Sequence, residues 1–219
     1  MNSLINKIKS KKYASLGDEI IEQEINNFLG KKPKAKDKEI IKEVKTRLHK
    51  IYGSFQVNKK KKRDTLLEEL KENQNSIELH RKILETNLST KERLKAYNTL
   101  YYRIFQITGQ PKSILDVGSG INPISYPFLE CTPSYTSIEI DKEDVEFVNE
   151  YFKIKNIKGE AILKAINKDT IKDLPKTDIT FLFKIIDPLE VRKGHKFSEM
   201  LLKGLKSKYI VASFSTKTI

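Results

Sequence analysis

Apolar residues recur every three or four positions through the first hundred-odd residues of this chain and then change period. Leu4, Ile5, Ile8 and Tyr13 make a short amphipathic segment. After Gly17-Asp18, the residues Ile20, Ile21, Ile25, Phe28 and Leu29 share one helical face, and Gly30 and Pro33 end that helix. A third helix is predicted from Asp37 to about Ile51, with Ile40, Ile41, Val44 and Leu48 inward and lysines outward. Helices follow over 64–72 and 76–86, the second opened by Asn75-x-x-Glu78. Ser89-Thr-Lys-Glu92 has the form of a capping box and predicts one long helix through Leu94, Tyr97, Leu100, Tyr101, Ile104 and Phe105 to Gly109. No stretch of 1–108 alternates as a strand does, so it reads as an all-helical subdomain.

From Ser113 the pattern becomes short β-branched runs separated by helical periods. The predicted strands are 113–117, 135–139, 161–165, 178–183 and 208–214, with helices at 141–153 and 190–206. Such alternation implies an α/β fold over 109–219, a doubly wound parallel sheet that binds ligand at the carboxyl ends of its strands. Gly118, Glu139, Asn167 and Lys184 all fall at such ends.

The sharpest local signal is Ser113-Ile-Leu-Asp-Val-Gly-Ser-Gly-Ile-Asn-Pro123, a buried strand that breaks into a glycine turn. About 20 residues on, Glu139 ends the next strand, where a nucleotide-binding fold places the carboxylate that holds ribose hydroxyls. A dinucleotide fingerprint needs a third glycine, and Pro123 occupies that position. Asp116 precedes the first glycine and would repel a pyrophosphate, but it suits a cationic sulfonium. The turn with its acidic strand end resembles the S-adenosylmethionine (SAM) site of class I methyltransferases, a Rossmann-like fold.

Charge adds a partner. The 219 residues carry 42 Lys+Arg against 29 Asp+Glu, a net charge of +13. Between Met1 and Arg63 there are 18 basic and 7 acidic residues, so +11 of that excess sits in the first 63 residues. A basic lobe gains affinity for polyphosphates by releasing counterions, which points to nucleic acid. The run Lys59, Lys60, Lys61, Lys62, Arg63 is a candidate phosphate-contacting loop. A single cysteine, Cys131, cannot form an internal disulfide, and His49, His80 and His195 have no zinc-ligand spacing, so no metal is expected. Neither a membrane-length apolar run nor a cleavable leader is evident, and a soluble cytoplasmic protein is expected.

Several separated stretches can be matched together: Ser10-Lys-Lys-Tyr-x-x-Leu16, Arg47-Leu-His-Lys-Ile-Tyr-Gly-Ser-Phe55, Ser89-Thr-Lys-Glu-Arg93, the glycine turn, Phe183-Lys184 and Ser213-Phe214. In this order they resemble the aminoglycoside-resistance 16S rRNA methyltransferases of the Arm/Rmt type, which methylate guanine N7 at nucleotide 1405. The resemblance implies that Arg93 grips the SAM carboxylate, that Gly118 and Gly120 line the methionine arm, and that Glu139 holds the ribose. Asp116, Asn122 and Ile140 would complete the cofactor site, and Asn167 stands where relatives have an aspartate near the adenine. Lys184, Glu190 and Lys217 match positions tied to activity or rRNA contact, with Lys184 and Glu190 the catalytic candidates and Lys217, beside Arg47 and the 59–63 run, an RNA-contact candidate. The implied partner is 16S rRNA within the 30S subunit, bound by a monomer.

Two departures accompany the resemblance. Asp187-Pro188 occupies a loop that is usually apolar around its proline, and relatives continue past the counterpart of Ile219 with a further antiparallel hairpin, so the C-terminal strands are expected to be missing. Guanine N7 has an in-plane lone pair and no proton, so attack on a sulfonium methyl needs alignment rather than a general base. An aromatic from 121–126 or 185–189 is expected at the target base. The residues leave two other readings open: a methyltransferase acting on another RNA site, and a non-catalytic RNA-binding protein with a degenerate SAM fold.

Overall fold

A computed structural model describes residues 1–9, 11–53, 60–190 and 196–214. Helices α1 (Asn2–Ile8), α2 (Asp18–Leu29) and α3 (Asp37–Leu48) turn their isoleucine stripes toward one another. Ile8, Ile21, Ile25, Val44 and Leu48 form the centre of this first core, at 0–1% exposure. A five-residue π turn, His49–Gly53, ends α3 and buries Ile51 and Tyr52.

The next helices, α4 (Lys60–Glu72), α5 (Ile77–Leu84), α6 (Leu88–Arg93) and α7 (Tyr97–Thr108), pack on the sheet instead. Leu70, Ile83, Tyr97 and Tyr101 share a core with Ile114 and Phe181. Tyr101 lies 5.8 Å from the Phe181 ring and its hydroxyl meets Ser125 Oγ at 2.7 Å, so the ring's apolar body and its polar tip are both satisfied.

The sheet consists of β1 (Ser113–Val117), β2 (Ser134–Glu139), β3 (Gly159–Leu163), β4 (Thr177–Phe183) and β5 (Ser207–Ser213). All described pairings are parallel, in the order β3-β2-β1-β4-β5. Helix α8 (Lys142–Ile154) covers the face shared with α4–α7, while α9 (Ile186–Leu189) and α10 (Lys196–Gly204) cover the other through Leu182 and Leu201. The chain runs outward from β1 through β2 to β3, then returns to place β4 on the other side of β1. The crevice of a doubly wound sheet therefore opens at the carboxyl ends of β1, β2 and β4.

Several boundaries differ from the periodic reading. The long helix expected from Ser89 is two, because Leu94 N–H and Ala96 N–H bond three residues back, at 3.2 and 2.8 Å, and tighten the chain out of the α path. Its cap is Asn87, whose Oδ1 accepts from the N–H groups of Ser89 (3.0 Å) and Thr90 (3.4 Å). Likewise Ser76, rather than Asn75, caps α5 through Leu79 N–H at 3.2 Å. The helix expected over 64–72 starts at Lys60, so Lys60 to Arg63 are its first turn and not a loop. Strand β3 begins at Gly159, which leaves Asn167 in the loop beyond it. Of the helix expected over 190–206 the structure shows α10 over Lys196–Gly204, with 191–195 outside the described residues.

Candidate active site

The turn after β1 is built by what only glycine tolerates. Gly118 and Gly120 have φ of +64° and +51°, and a Cβ on Gly118 would stand 2.5 Å from Ile185 Cδ1. Gly118 N–H donates to the carbonyl of Ile138 at 2.8 Å, holding the turn against the end of β2. There Glu139 closes it: Oε2 accepts from Gly120 N–H at 2.7 Å, and Oε1 accepts from Ile140 N–H at 2.7 Å and Asp141 N–H at 3.2 Å. Burial and then the nearby Asp144 charge push the Glu139 carboxyl up to about 7, with the Gly120 and Ile140 N–H groups working the other way.

Asp116 is turned into the protein interior. It is 1% exposed, and Oδ2 accepts from Asn122 Nδ2 at 2.8 Å and from the Tyr135 hydroxyl at 2.7 Å. Asn122 Oδ1 in turn accepts from the Tyr97 hydroxyl at 2.9 Å and Arg93 at 3.2 Å. These side chains form a scaffold behind the turn, and the expected direct contacts of Asp116 and Asn122 with the cofactor are replaced by support of the loop. The reason is geometric: side chains on β1 alternate between faces, and Asp116 points to the same face as Ile114, where Tyr97, Asn122 and Tyr135 surround it. Arg93 also donates to Ser89 Oγ at 2.9 Å and lies 5.0 Å from the Phe183 ring centre.

The turn opens onto a cleft of about 1500 Å³ between the sheet and α2–α3. Gly118, Gly120, Glu139, Asn167 and Lys184 line one wall, and Gln23 and Arg47 belong to the other. Asn167 Oδ1 accepts from Asp169 N–H (2.9 Å) and Thr170 N–H (3.0 Å), which leaves the amide group to meet Gln23 Oε1 at 3.3 Å. Lys184 sits just past β4 with φ of +58°, and its ammonium pairs with Glu92. Burial lowers its pKa. Glu190 accepts from Ser198 N–H at 3.0 Å and from the Ser198 hydroxyl, so it braces the start of α10 at the cleft wall.

The basic candidates separate. Arg47 lines the cleft with Nε 3.6 Å from Glu24 Oε2. Lys60 reaches Asp141 at 2.8 Å and Glu143 at 2.7 Å; Arg63 is 4% exposed, paired with Asp144 at 2.7 Å and lying 4.5 Å from the Phe147 ring centre. Neither presents its charge outward as the loop reading expected, whereas Lys61 and Lys62 are exposed. Lys59 and Lys217 lie outside the described residues. Tyr126, the aromatic in 121–126, does not line the cleft. Tyr126 donates to the Pro133 carbonyl at 2.9 Å, and 185–189 contains no aromatic ring. Phe183 and Phe197 are the rings on the sheet side of the cleft.

The backbone cradle of two left-handed glycines, with a carboxylate ringed by N–H groups at the next strand end, suits a nucleoside diol carrying an extended arm. The sequence model of the family described as Ribosomal RNA methyltransferase (FmrO) matches residues 9–219. This chain belongs to that family.

Among curated relatives, the 16S rRNA (guanine(1405)-N(7))-methyltransferase of Proteus mirabilis is 28% identical over 229 residues, covering 97% of this chain and 79% of the relative. The protein of the same name from Micromonospora echinospora is 25% identical over 187 residues, covering 82% and 67%. The fold of this rRNA methyltransferase family member superposes on the crystal structure of the 16S rRNA methyltransferase RmtF in complex with S-adenosyl-L-homocysteine, with a TM-score of 0.83, 24% identity and coverage of 100% and 82%. For the 16S rRNA methylase RmtB the TM-score is 0.82 at 23% identity, with 98% and 84% covered. The family expected from the separated motifs, and the class I methyltransferase fold with its helical N-terminal region, are thus borne out. Among the described residues no helix of this rRNA methyltransferase is long and apolar enough to cross a membrane.

Proposed function

We propose that this rRNA methyltransferase transfers a methyl group from SAM to N7 of guanine 1405 in 16S rRNA of the assembled small subunit, acting as a cytoplasmic monomer and conferring aminoglycoside resistance. The observation that carries this reading is one cleft with two kinds of wall: Gly118, Gly120 and Glu139 on the sheet side, and Lys31, Arg47 and Lys50 of the helical region opposite. When bound, SAM supplies an electrophilic methyl on a sulfonium that leaves as a neutral thioether. Glu139 would accept from the ribose hydroxyls, and the bare backbone at Gly118 and Gly120 would admit the methionine arm. Arg93, held by Ser89 and Asn122, would receive the carboxylate.

Guanine N7 attacks with its own lone pair, so no side chain has to take a proton, and the site works by orientation. The A-form major groove hides N7, so the base must leave its helix to enter the cleft, where Phe197 offers a stacking face. Lys184 and Arg47, which line the cleft, would meet the phosphates that follow it. Lys61, Lys62 and Lys217 would contact rRNA farther out, with Lys59 in the same stretch.

The deciding experiment is methyl transfer from labelled SAM to purified 30S subunits beside naked 16S rRNA, with the product mapped by cleavage at N7-methylguanine. Label at 1405 on the subunit, with raised aminoglycoside tolerance in cells expressing the chain, is the expected result. Label at another nucleotide would assign a different RNA target. RNA binding without SAM affinity would make the chain a non-catalytic RNA-binding protein.

A further inference from the structure

We infer that Asp141 is a positioning residue for the cofactor site, clamped by three separate stretches of the helical lobe, so that this lobe is a working half of that site. The inference rests on the cleft being the SAM site and concerns how its ribose-holding carboxylate is kept in place.

Asp141 is fully buried two residues beyond Glu139. Its Oδ1 caps α8, accepting from Glu143 N–H at 2.9 Å and Asp144 N–H at 3.2 Å. Its Oδ2 takes three donors: Ser15 Oγ at 2.8 Å, Lys60 Nζ at 2.8 Å and the Tyr52 hydroxyl. Those donors come from the segment before α2, from the π turn after α3 and from the first turn of α4. The backbone adds to the clamp. Ser15 C=O accepts from Lys142 N–H at 2.8 Å, Gly17 N–H donates to Ile140 C=O at 3.0 Å, and Leu16 makes an antiparallel bridge with Asp141.

Residues 15–17 therefore grip the Ile140–Asp141 peptide unit, whose N–H holds Glu139 Oε1, and the Asp141–Lys142 unit next to it. Burial raises the Asp141 pKa, but Lys60, Tyr52 and Ser15 more than reverse this, and its carboxyl falls below the usual range. Burial and the Asp141 charge push the Tyr52 phenol up, so it keeps its proton and donates. At the other rim, Gln23 of α2 meets Asn167. The lobe thus also meets the cofactor wall at Asn167, while the Asp141 clamp acts through the backbone N–H groups that hold the Glu139 carboxylate.

The test uses Tyr52→Phe, which deletes one hydroxyl and keeps the ring, with Ser15→Ala as a second single-hydroxyl deletion. In cofactor-free protein, amide hydrogen exchange at Ile140 and Asp141 should quicken about tenfold while the β1–β2 ladder stays protected. Calorimetry should show S-adenosylhomocysteine binding weakened roughly three- to tenfold by Tyr52→Phe, with no further weakening when Tyr52→Phe is added to Glu139→Ala. Unchanged exchange at both amides in both deletions, or effects of the two substitutions that simply add, would overturn the inference. Absence of S-adenosylhomocysteine binding by the unaltered protein would instead overturn the cofactor reading, and the exchange measurement would still decide the role of Asp141.

Discussion

The glycine turn of β1 and the basic first turn of α4 are both short stretches of one dominant chemistry, yet the fold handles them in opposite ways. In the turn, Gly118, Gly120 and Glu139 stay together and face one cleft. The basic run is sorted instead. Lys60 and Arg63, three apart on a helix, share the face that meets Asp141, Glu143 and Asp144, while Lys61 and Lys62 stay in solvent. A backbone requirement is met locally by the residues that carry it. The role of a charge depends on what the rest of the chain brings to its side of the helix.

The widest separation between the two halves of the run should come from stability. Arg63→Met leaves Asp144 buried with its nearest guanidinium gone, and we expect a loss of about 3–5 kcal/mol in urea unfolding, against about 0.5 kcal/mol or less for Lys62→Met. Equal losses would place both side chains in the same environment. In the turn, Glu139→Ala removes the acceptor of three N–H groups and of the ribose. S-adenosylhomocysteine affinity should fall by roughly 10- to 100-fold, on the basis of about 1.5–3 kcal/mol for hydrogen bonds to a charged group.

The same carboxylate sets a pH dependence. Its folded pKa of about 7 lies above the ordinary 4.5, so a proton is bound in the cofactor-free fold where the unfolded chain has lost it. Fold stability contributed by this group is therefore present below 4.5 and lost as pH rises through 7. Cofactor affinity should move the other way, because ribose hydroxyls donate to the ionised form. It should weaken by up to about tenfold per pH unit below the pKa and level off above it, as read by calorimetry between acid and mildly alkaline buffers. A flat profile would mean that Glu139 is already ionised throughout. The smallest effect belongs to the exposed half of the run. Lys61→Ala with Lys62→Ala should reduce the salt slope of rRNA binding by about one unit for each phosphate no longer neutralised, leaving S-adenosylhomocysteine affinity unchanged.

Much of the sheet half can be read directly. The strand 113–117 matches β1 residue for residue, and Glu139 ends β2 as the acidic position after the glycine turn requires. Local chemistry also announces α2, since Gly17-Asp18 and Gly30 bracket its isoleucine stripe. Asn87 escapes notice as a cap because Ser89-x-x-Glu92 satisfies the same pattern two residues later; the choice falls to the residue whose carboxamide reaches the free N–H groups. Phe197 and Gln23 carry no signal, as nothing in their neighbours distinguishes a cleft wall from any other surface.

Periodicity, turn chemistry and charge distribution were enough to determine the doubly wound sheet, the glycine cradle, the helical N-terminal region and a basic lobe suited to nucleic acid. These are properties of windows a few turns long, where backbone geometry and side-chain spacing act directly. Only the tertiary structure decided that Asp116 braces the turn from behind, that Lys60 and Arg63 turn inward, and that Ser15, Tyr52 and Lys60 converge on Asp141 across separations of 126, 89 and 81 residues. A carboxylate or an ammonium has the same formula in every environment. Whether it faces a ligand, a solvent shell or a buried counter-charge is set by which distant residues remove the water around it.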